Sequence, residues 1–148
     1  MKRPLFFLTF ISTIILTMVF SNFLLDIAGI EIYERKQRPI SWGFLLTVLA
    51  LAPLTETLLF QKLPFDLFAD SFTKQWPLIL ISAIPFGIIH YFNEFLVRDI
   101  LFTFSSGVLY AYAYLVAKKR DDLNAYLAVV LIHFSYNLFV VLIRVILG

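Results

Sequence analysis

Long apolar blocks constrain the fold of this 148-residue chain more than any other feature. Each block carries few charges and holds roughly 20 residues, the length that an α-helix needs to cross the hydrocarbon core of a bilayer. Only 15% of the chain is charged and 61% is hydrophobic, whereas soluble domains are about a quarter charged. The sequence therefore predicts an all-α integral membrane protein, a bundle of about five transmembrane helices near residues 5–25, 40–63, 77–96, 100–117 and 123–147.

The segment 65–76, between the second and third blocks, has an amphipathic pattern. Its charged residues lie off one helical face, and that face carries four large aromatic residues: Phe65, Phe68, Phe72 and Trp76. This pattern predicts either an interfacial helix near 65–76 or a bent continuation of the second span beyond Pro64. We found no internal repeat, so we expect a single membrane domain over 1–148, with 5–25 as a retained N-terminal anchor.

The charges indicate an orientation and exclude some functions. No basic stripe interleaved with aromatic residues is present, so nucleic-acid binding is not expected. The chain has no cysteine, which excludes disulfides, thiolate metal sites and a cysteine nucleophile. We expect a multi-pass protein of a bacterial cell membrane with its N-terminus in the cytoplasm and its C-terminus outside. That orientation puts seven basic residues inside against four outside: Lys2, Arg3, Lys62, Lys74, Lys118, Lys119 and Arg120 against Arg35, Lys36, Arg38 and Arg98.

Glu56 lies inside the second apolar block, where a carboxylate costs a few kcal/mol (about 2.5–3.5). A neutral carboxyl hydrogen-bonded between helices is the structural explanation, but an acid within a membrane is by default a functional candidate. His90, His133 and Asn137 also lie within apolar blocks. Each of these three, taken alone, is more simply explained by packing or by a hydrogen bond between helices.

The spacing of these residues favours a shared site. His133 and Asn137 are four residues apart and lie on one helical face, as do Phe86 and His90. Polar faces in a bilayer turn toward the interior of a bundle, so we expect them to converge with Glu56 around a polar cavity that opens to one membrane face. Measured from the predicted cytoplasmic end of each helix, Glu56 is roughly 12 Å from Pro64 and His90 is roughly 20 Å from Trp76. His133 is roughly 16 Å from the charged turn 118–122. These depths agree if the second helix continues past Pro64.

The ordered motifs resemble those of the CPBP family of intramembrane proteases, which includes CAAX proteases and bacteriocin-processing or self-immunity proteins and is also called Abi. The family's motifs are Glu-Glu-x-x-x-Arg, Phe-x-x-x-His and His-x-x-x-Asn or Asp. Residues 52–61, with Glu56 as the leading glutamate, look like the first motif, and 86–90 and 133–137 match the other two. The segment 104–110 looks like the family's glycine-containing fourth helix. The resemblance covers roughly residues 40–140.

This resemblance implies a peptidase that uses an activated water and no cofactor. Glu56 and His90 would deprotonate the water, which attacks a peptide carbonyl, and His133 and Asn137 would donate hydrogen bonds to the oxyanion. Phe86 would support the His90 ring one turn away. The implied partners are membrane lipid and a peptide or protein substrate in or near the membrane, and the oligomeric state stays open.

The first motif departs from the family pattern at two positions. Thr57 stands where the family has its second glutamate, and Gln61 stands where it has arginine. Both replacements are neutral, so no buried charge is stranded, and a Thr57–Gln61 hydrogen bond is the predicted substitute for the family's ion pair.

Two alternatives stay open at this point. One is a catalytically impaired family member that acts as a bacteriocin-immunity protein, scaffold or partner subunit. The other is a zinc-dependent membrane protease with Glu56, His90 and His133 as ligands.

Overall fold

The computed structural model describes residues 1–29, 39–94 and 97–147, and within these ranges every regular element is helical. Helix α1 spans Arg3–Ile27, and α2 runs without a break from Trp42 to Phe68 before a 3₁₀ turn at Ala69–Ser71. Helices α3, α4 and α5 span Trp76–Glu94, Val97–Lys118 and Ala125–Leu147. The predicted all-α membrane fold is confirmed.

Four of the helices are long and apolar enough to cross a membrane, namely Arg3–Ile27, Trp42–Ser71, Ile100–Lys118 and Ala125–Ile146. The apolar part of α3, Trp76–Phe92, is shorter. Of the two structures predicted for 65–76, the continuation is present, because α2 extends past Pro64 to Phe68 and residues 72–75 are not helical. Most of the polar segment 26–39 lies outside the described residues.

One end of the bundle is joined by ion pairs. Lys62 and Lys118 both contact Asp66, at 2.5 and 3.3 Å, which links the end of α2 to the end of α4. Arg3 pairs with Asp122 at 3.1 Å and so links the start of α1 to the turn after α4. The N-terminus, the end of α2 and the α4–α5 turn therefore lie at the same end.

Helices α3 and α4 pack closely because small residues lie at their contact. A Cβ atom added to Gly87 would lie 3.2 Å from the Cα and 3.3 Å from the backbone nitrogen of Phe104. A Cβ added to Gly107 would lie 3.1 Å from the Cα of Ala83. Small residues let two backbones approach closely in a membrane. Because Gly87 lies between Phe86 and His90, this contact also fixes the depth of the second motif.

We predict that Gly87→Ala destabilises the protein by about 1–3 kcal/mol, because its methyl group would press on the backbone of Phe104. Thermal unfolding in detergent measures the effect. Gly43→Ala is the matched control. Among the described residues, the atom nearest to its added Cβ would be the Ser41 hydroxyl oxygen, at 3.9 Å. Equal melting temperatures for the two variants would contradict the close packing of α3 on α4.

Candidate active site

Helix α2 contains two widened turns, each placed just before a proline. The Ala52 N–H bonds to the Thr47 carbonyl and the Leu63 N–H bonds to the Leu58 carbonyl, five residues back instead of four. Pro53 and Pro64 follow directly. The ring of a helical proline clashes with the carbonyl four residues earlier. A turn closed by the longer hydrogen bond relieves this clash without ending the helix.

The widened turns keep one face of α2 buried over three turns. Pro53, Thr57, Gln61 and Phe65 are all buried, and Ala52, Glu56 and Phe60 beside them are half-buried. In a regular α-helix each step of four residues rotates the side chain by about 40°, so such a stripe would wind around the helix. A widened turn uses an extra residue and rotates the following residues back. Glu56 therefore stays on the side of α2 that faces the other helices.

The structure brings Glu56, His90 and His133 together. The Oε2 atom of Glu56 lies 3.8 Å from Nε2 of His90 and 3.8 Å from Nε2 of His133. These separations are longer than a direct hydrogen bond. The side chains of Glu56 and His90 remain 23% and 26% exposed, whereas that of His133 is only 6% exposed. The carboxylate thus lies near both imidazoles and is partly exposed.

The contacts of His90 fix the proton on its ring. Its Nδ1 lies 2.8 Å from the carbonyl oxygen of Phe86. A carbonyl only accepts, so Nδ1 carries the hydrogen and the neutral ring presents the lone pair of Nε2 toward Glu56. The Phe-x-x-x-His spacing produces this bond, because residues four apart in a helix lie one turn from each other. In the neutral ring, Nε2 is therefore the proton acceptor, and it lies 3.8 Å from Oε2 of Glu56.

Aromatic rings enclose the site. The ring of His133 stacks on that of Tyr110, with centroids 4.6 Å apart, and Phe86 packs against both histidines at 4.7 and 6.1 Å. Phe60, from α2, meets Phe86 edge-on at 5.6 Å. The rings therefore pack around both imidazoles.

Thr57 and Gln61 are fully buried, but they do not form the hydrogen bond predicted between them. Neither the Thr57 hydroxyl nor the Gln61 amide has a hydrogen-bond partner among the described residues. The prediction assumed regular α-helical geometry. Both residues lie in the widened turn Thr57–Lys62 and on its buried face, but their polar groups do not pair there.

Asn137 contacts α2 but is not bonded to Glu56. Its Nδ2 donates to the carbonyl oxygen of Val48 at 2.8 Å. The hydroxyl of Tyr126, on the same helix α5, donates to the Leu54 carbonyl at 3.0 Å.

Sequence reasoning did not single out Tyr126, nor Tyr110 beyond its place in the segment 104–110. Tyr126 precedes His133 by seven residues, two turns of one helical face, and this spacing was the signal that could have found it.

The described part of the chain contains no group of three or more histidine, cysteine or acidic side chains arranged to hold a metal ion. Tetrahedral zinc with bonds of about 2.0–2.1 Å requires ligand atoms about 3.3 Å apart. The 3.8 Å separations from Glu56 to the two rings are wider than that.

The apolar helices and the cluster of Glu56, His90 and His133 place the chain in a class of proteins: helical membrane proteins with ionisable side chains inside the bundle. A family model described as Type II CAAX prenyl endopeptidase Rce1-like matches residues 38–139, about two thirds of the chain. The chain belongs to this family of membrane peptidases, as the motif resemblance predicted. No curated protein and no solved structure shows a significant similarity to the chain.

We predict that Phe86→Ala destabilises the protein by about 3–5 kcal/mol, because it removes a buried ring that contacts both site histidines. Phe92→Ala on the same helix is the control, since Phe92 is 62% exposed. Its effect should stay within about 0.5 kcal/mol. Thermal unfolding in detergent compares the two, and a Phe86→Ala variant as stable as Phe92→Ala would show that the aromatic enclosure does not hold the site.

Proposed function

We propose that this protein is a glutamate-dependent intramembrane endopeptidase that hydrolyses a peptide bond in a membrane-associated peptide or protein. The observation that carries the proposal is the position of the Glu56 carboxylate, 3.8 Å from Nε2 of both His90 and His133. Two proton acceptors, the carboxylate and Nε2 of the neutral His90 ring, lie 3.8 Å apart, and both side chains are partly exposed. A water bound there would be held and polarised by both.

In the proposed mechanism, Glu56 removes a proton from this water while His90 orients it. The resulting hydroxide attacks the carbonyl carbon of the substrate and forms a tetrahedral intermediate. Glu56, now protonated, gives its proton to the departing amine, and the carbon–nitrogen bond breaks. The water is thereby divided between the two products, and the enzyme returns to its starting state.

His133 is the proposed donor to the oxyanion. Its Nδ1 is buried and has no partner among the described residues. A buried N–H without an acceptor is rare, so this favours the tautomer with the proton on Nε2, which lies near Glu56. Asn137 is the second proposed donor. Its Nδ2 carries two hydrogens, and one is bonded to the Val48 carbonyl.

The family membership supports a substrate at the membrane. We propose that the substrate is a peptide with a C-terminal lipid-modified cysteine sequence, as the description of the family implies. Prenylated and unprenylated forms of one peptide, tested in proteoliposomes, measure whether the lipid group is recognised.

Glu56→Gln should lower the rate of peptide cleavage by about 10²- to 10⁴-fold, because it removes the general base. His90→Ala should also reduce cleavage, and His133→Ala should cost about 10²- to 10³-fold through the lost oxyanion donor. Asp70→Asn, an acid in the 3₁₀ turn after α2, is the control and should cleave normally. Each variant is assayed in proteoliposomes at matched amounts of folded protein. Full activity of Glu56→Gln would refute the proposal.

The same assay tests zinc dependence. Protein prepared with a chelator and shown to be free of metal should keep its activity under the proposed mechanism. Loss of activity that zinc restores would instead support Glu56, His90 and His133 as ligands.

A non-catalytic role is the second candidate. Thr57 and Gln61, which are buried with no hydrogen-bond partner among the described residues, favour it. These residues stand where the family motif has an acid and an arginine of opposite charge. A chain without activity that retained a cellular immunity or scaffold phenotype in Glu56→Gln would match this role.

We propose that the end of the bundle carrying Lys62, Lys118 and Lys119 faces the cytoplasm, in line with the basic residues of the loops. Because the chain has no cysteine, single cysteines report on one position each. In intact cells, a membrane-impermeant maleimide should label Ser41→Cys, at the start of α2, and leave Lys119→Cys unlabelled. The opposite pattern would reverse the orientation.

A further inference from the structure

Pro53 leaves one carbonyl of α2 without a backbone donor. The Val48 carbonyl would normally accept from the N–H of Ala52, but that N–H bonds to Thr47. In a widened turn the next donor would be the N–H of residue 53, which is proline and has none. Both helical donors for Val48 are therefore missing, in a segment where an unsatisfied carbonyl costs several kcal/mol in lipid.

Asn137 supplies the missing donor from another helix. Its Nδ2 lies 2.8 Å from the Val48 oxygen and replaces the N–H that Pro53 lacks. Tyr126 donates from the same helix to the Leu54 carbonyl, on the other side of Pro53, at 3.0 Å. Tyr126 and Asn137 are eleven residues, or about three turns, apart on α5 and share one face. Helix α5 is therefore hydrogen-bonded to α2 on both sides of Pro53.

We propose that Asn137 is a positioning residue: it holds open the widened turn before Pro53 and thereby sets where Glu56 lies between the two imidazoles. Glu56 follows Pro53 by three residues, so the rotation of the helix at this turn decides which way the carboxylate points. His133 lies one turn before Asn137 on α5, and its Nε2 is 3.8 Å from Oε2 of Glu56. The same face of α5 thus presents a ring to the carboxylate and fixes the backbone that carries it.

The effect of Asn137 on catalysis rests on the proposed function, but its bond to the Val48 carbonyl does not. This bond predicts that the stability effects of substitutions at Asn137 and Pro53 are coupled. In wild type, Asn137→Leu, which keeps the side-chain size but removes the donor, should lower the melting temperature by about 3–8 °C. In Pro53→Ala the backbone regains an N–H for the Val48 carbonyl. There, Asn137→Leu should cost less than half as much. Asn137→Ala should show the same coupling, which separates loss of the donor from misfit of leucine.

Two matched controls make the coupling specific. Pro64 also follows a widened turn but is not paired with Asn137, so Pro64→Ala should leave the cost of Asn137→Leu unchanged. Asn124 caps the start of α5 through a bond from the Leu127 N–H to its Oδ1 at 3.1 Å. The cost of Asn124→Ala should be the same in the wild-type and Pro53→Ala backgrounds.

The stability measurement needs no substrate, so its outcome is independent of the proposed function. If Asn137→Leu costs the same in the wild-type and Pro53→Ala backgrounds, the positioning role is refuted. An active enzyme gives a second readout, because a shifted Glu56 changes its distance to both rings. Asn137→Ala should then move the pH profile of kcat/KM as well as lower it, whereas loss of an oxyanion donor alone would lower the rate at every pH.

Discussion

In a bilayer a backbone carbonyl has no water to bond, and this constraint shapes helix α2. Two prolines interrupt the hydrogen-bond ladder of the helix that carries Glu56. The helix continues through Pro53 and Pro64 because the turn before each proline is widened. In each widened turn the N–H of the residue before the proline bonds to the carbonyl five residues earlier. The carbonyl left over before Pro53 is satisfied by Asn137 from α5. The backbone geometry of α2 and its packing on α5 therefore depend on each other.

The placement of the acid follows from the same geometry. The widened turns keep Pro53, Thr57, Gln61 and Phe65 on one buried face, and Glu56 lies beside that face. Burying a carboxylate in a membrane is costly, and here the Glu56 carboxylate stays 23% exposed and lies 3.8 Å from Nε2 of two imidazoles. The close contact of α3 and α4 at Gly87 brings His90 to the matching depth, and Tyr110 stacks on His133. A rigid aromatic enclosure is suited to holding reacting groups in a fixed arrangement.

The departures of the first motif are buried inside the bundle. Thr57 and Gln61 replace residues that would carry opposite charges in the family, and both are buried without a partner among the described residues. Removing both charges avoids leaving either one alone in the interior. The positions of Glu56, His90 and His133 show that the fold assembles the cluster with these neutral residues in place.

The sequence alone determined the number and approximate limits of the helices. The length of an apolar segment is a local property, and the thickness of the bilayer sets how long a spanning helix must be. It also determined the convergence of Glu56, His90 and His133, since polar faces in lipid have only the bundle interior to turn to. Tertiary structure alone decided the role of Asn137, the absence of the Thr57–Gln61 bond and the contribution of Tyr110 and Tyr126. These depend on the exact rotation of α2 at its two widened turns. That rotation is set by contacts between helices far apart in the chain, and no local pattern in the sequence specifies it.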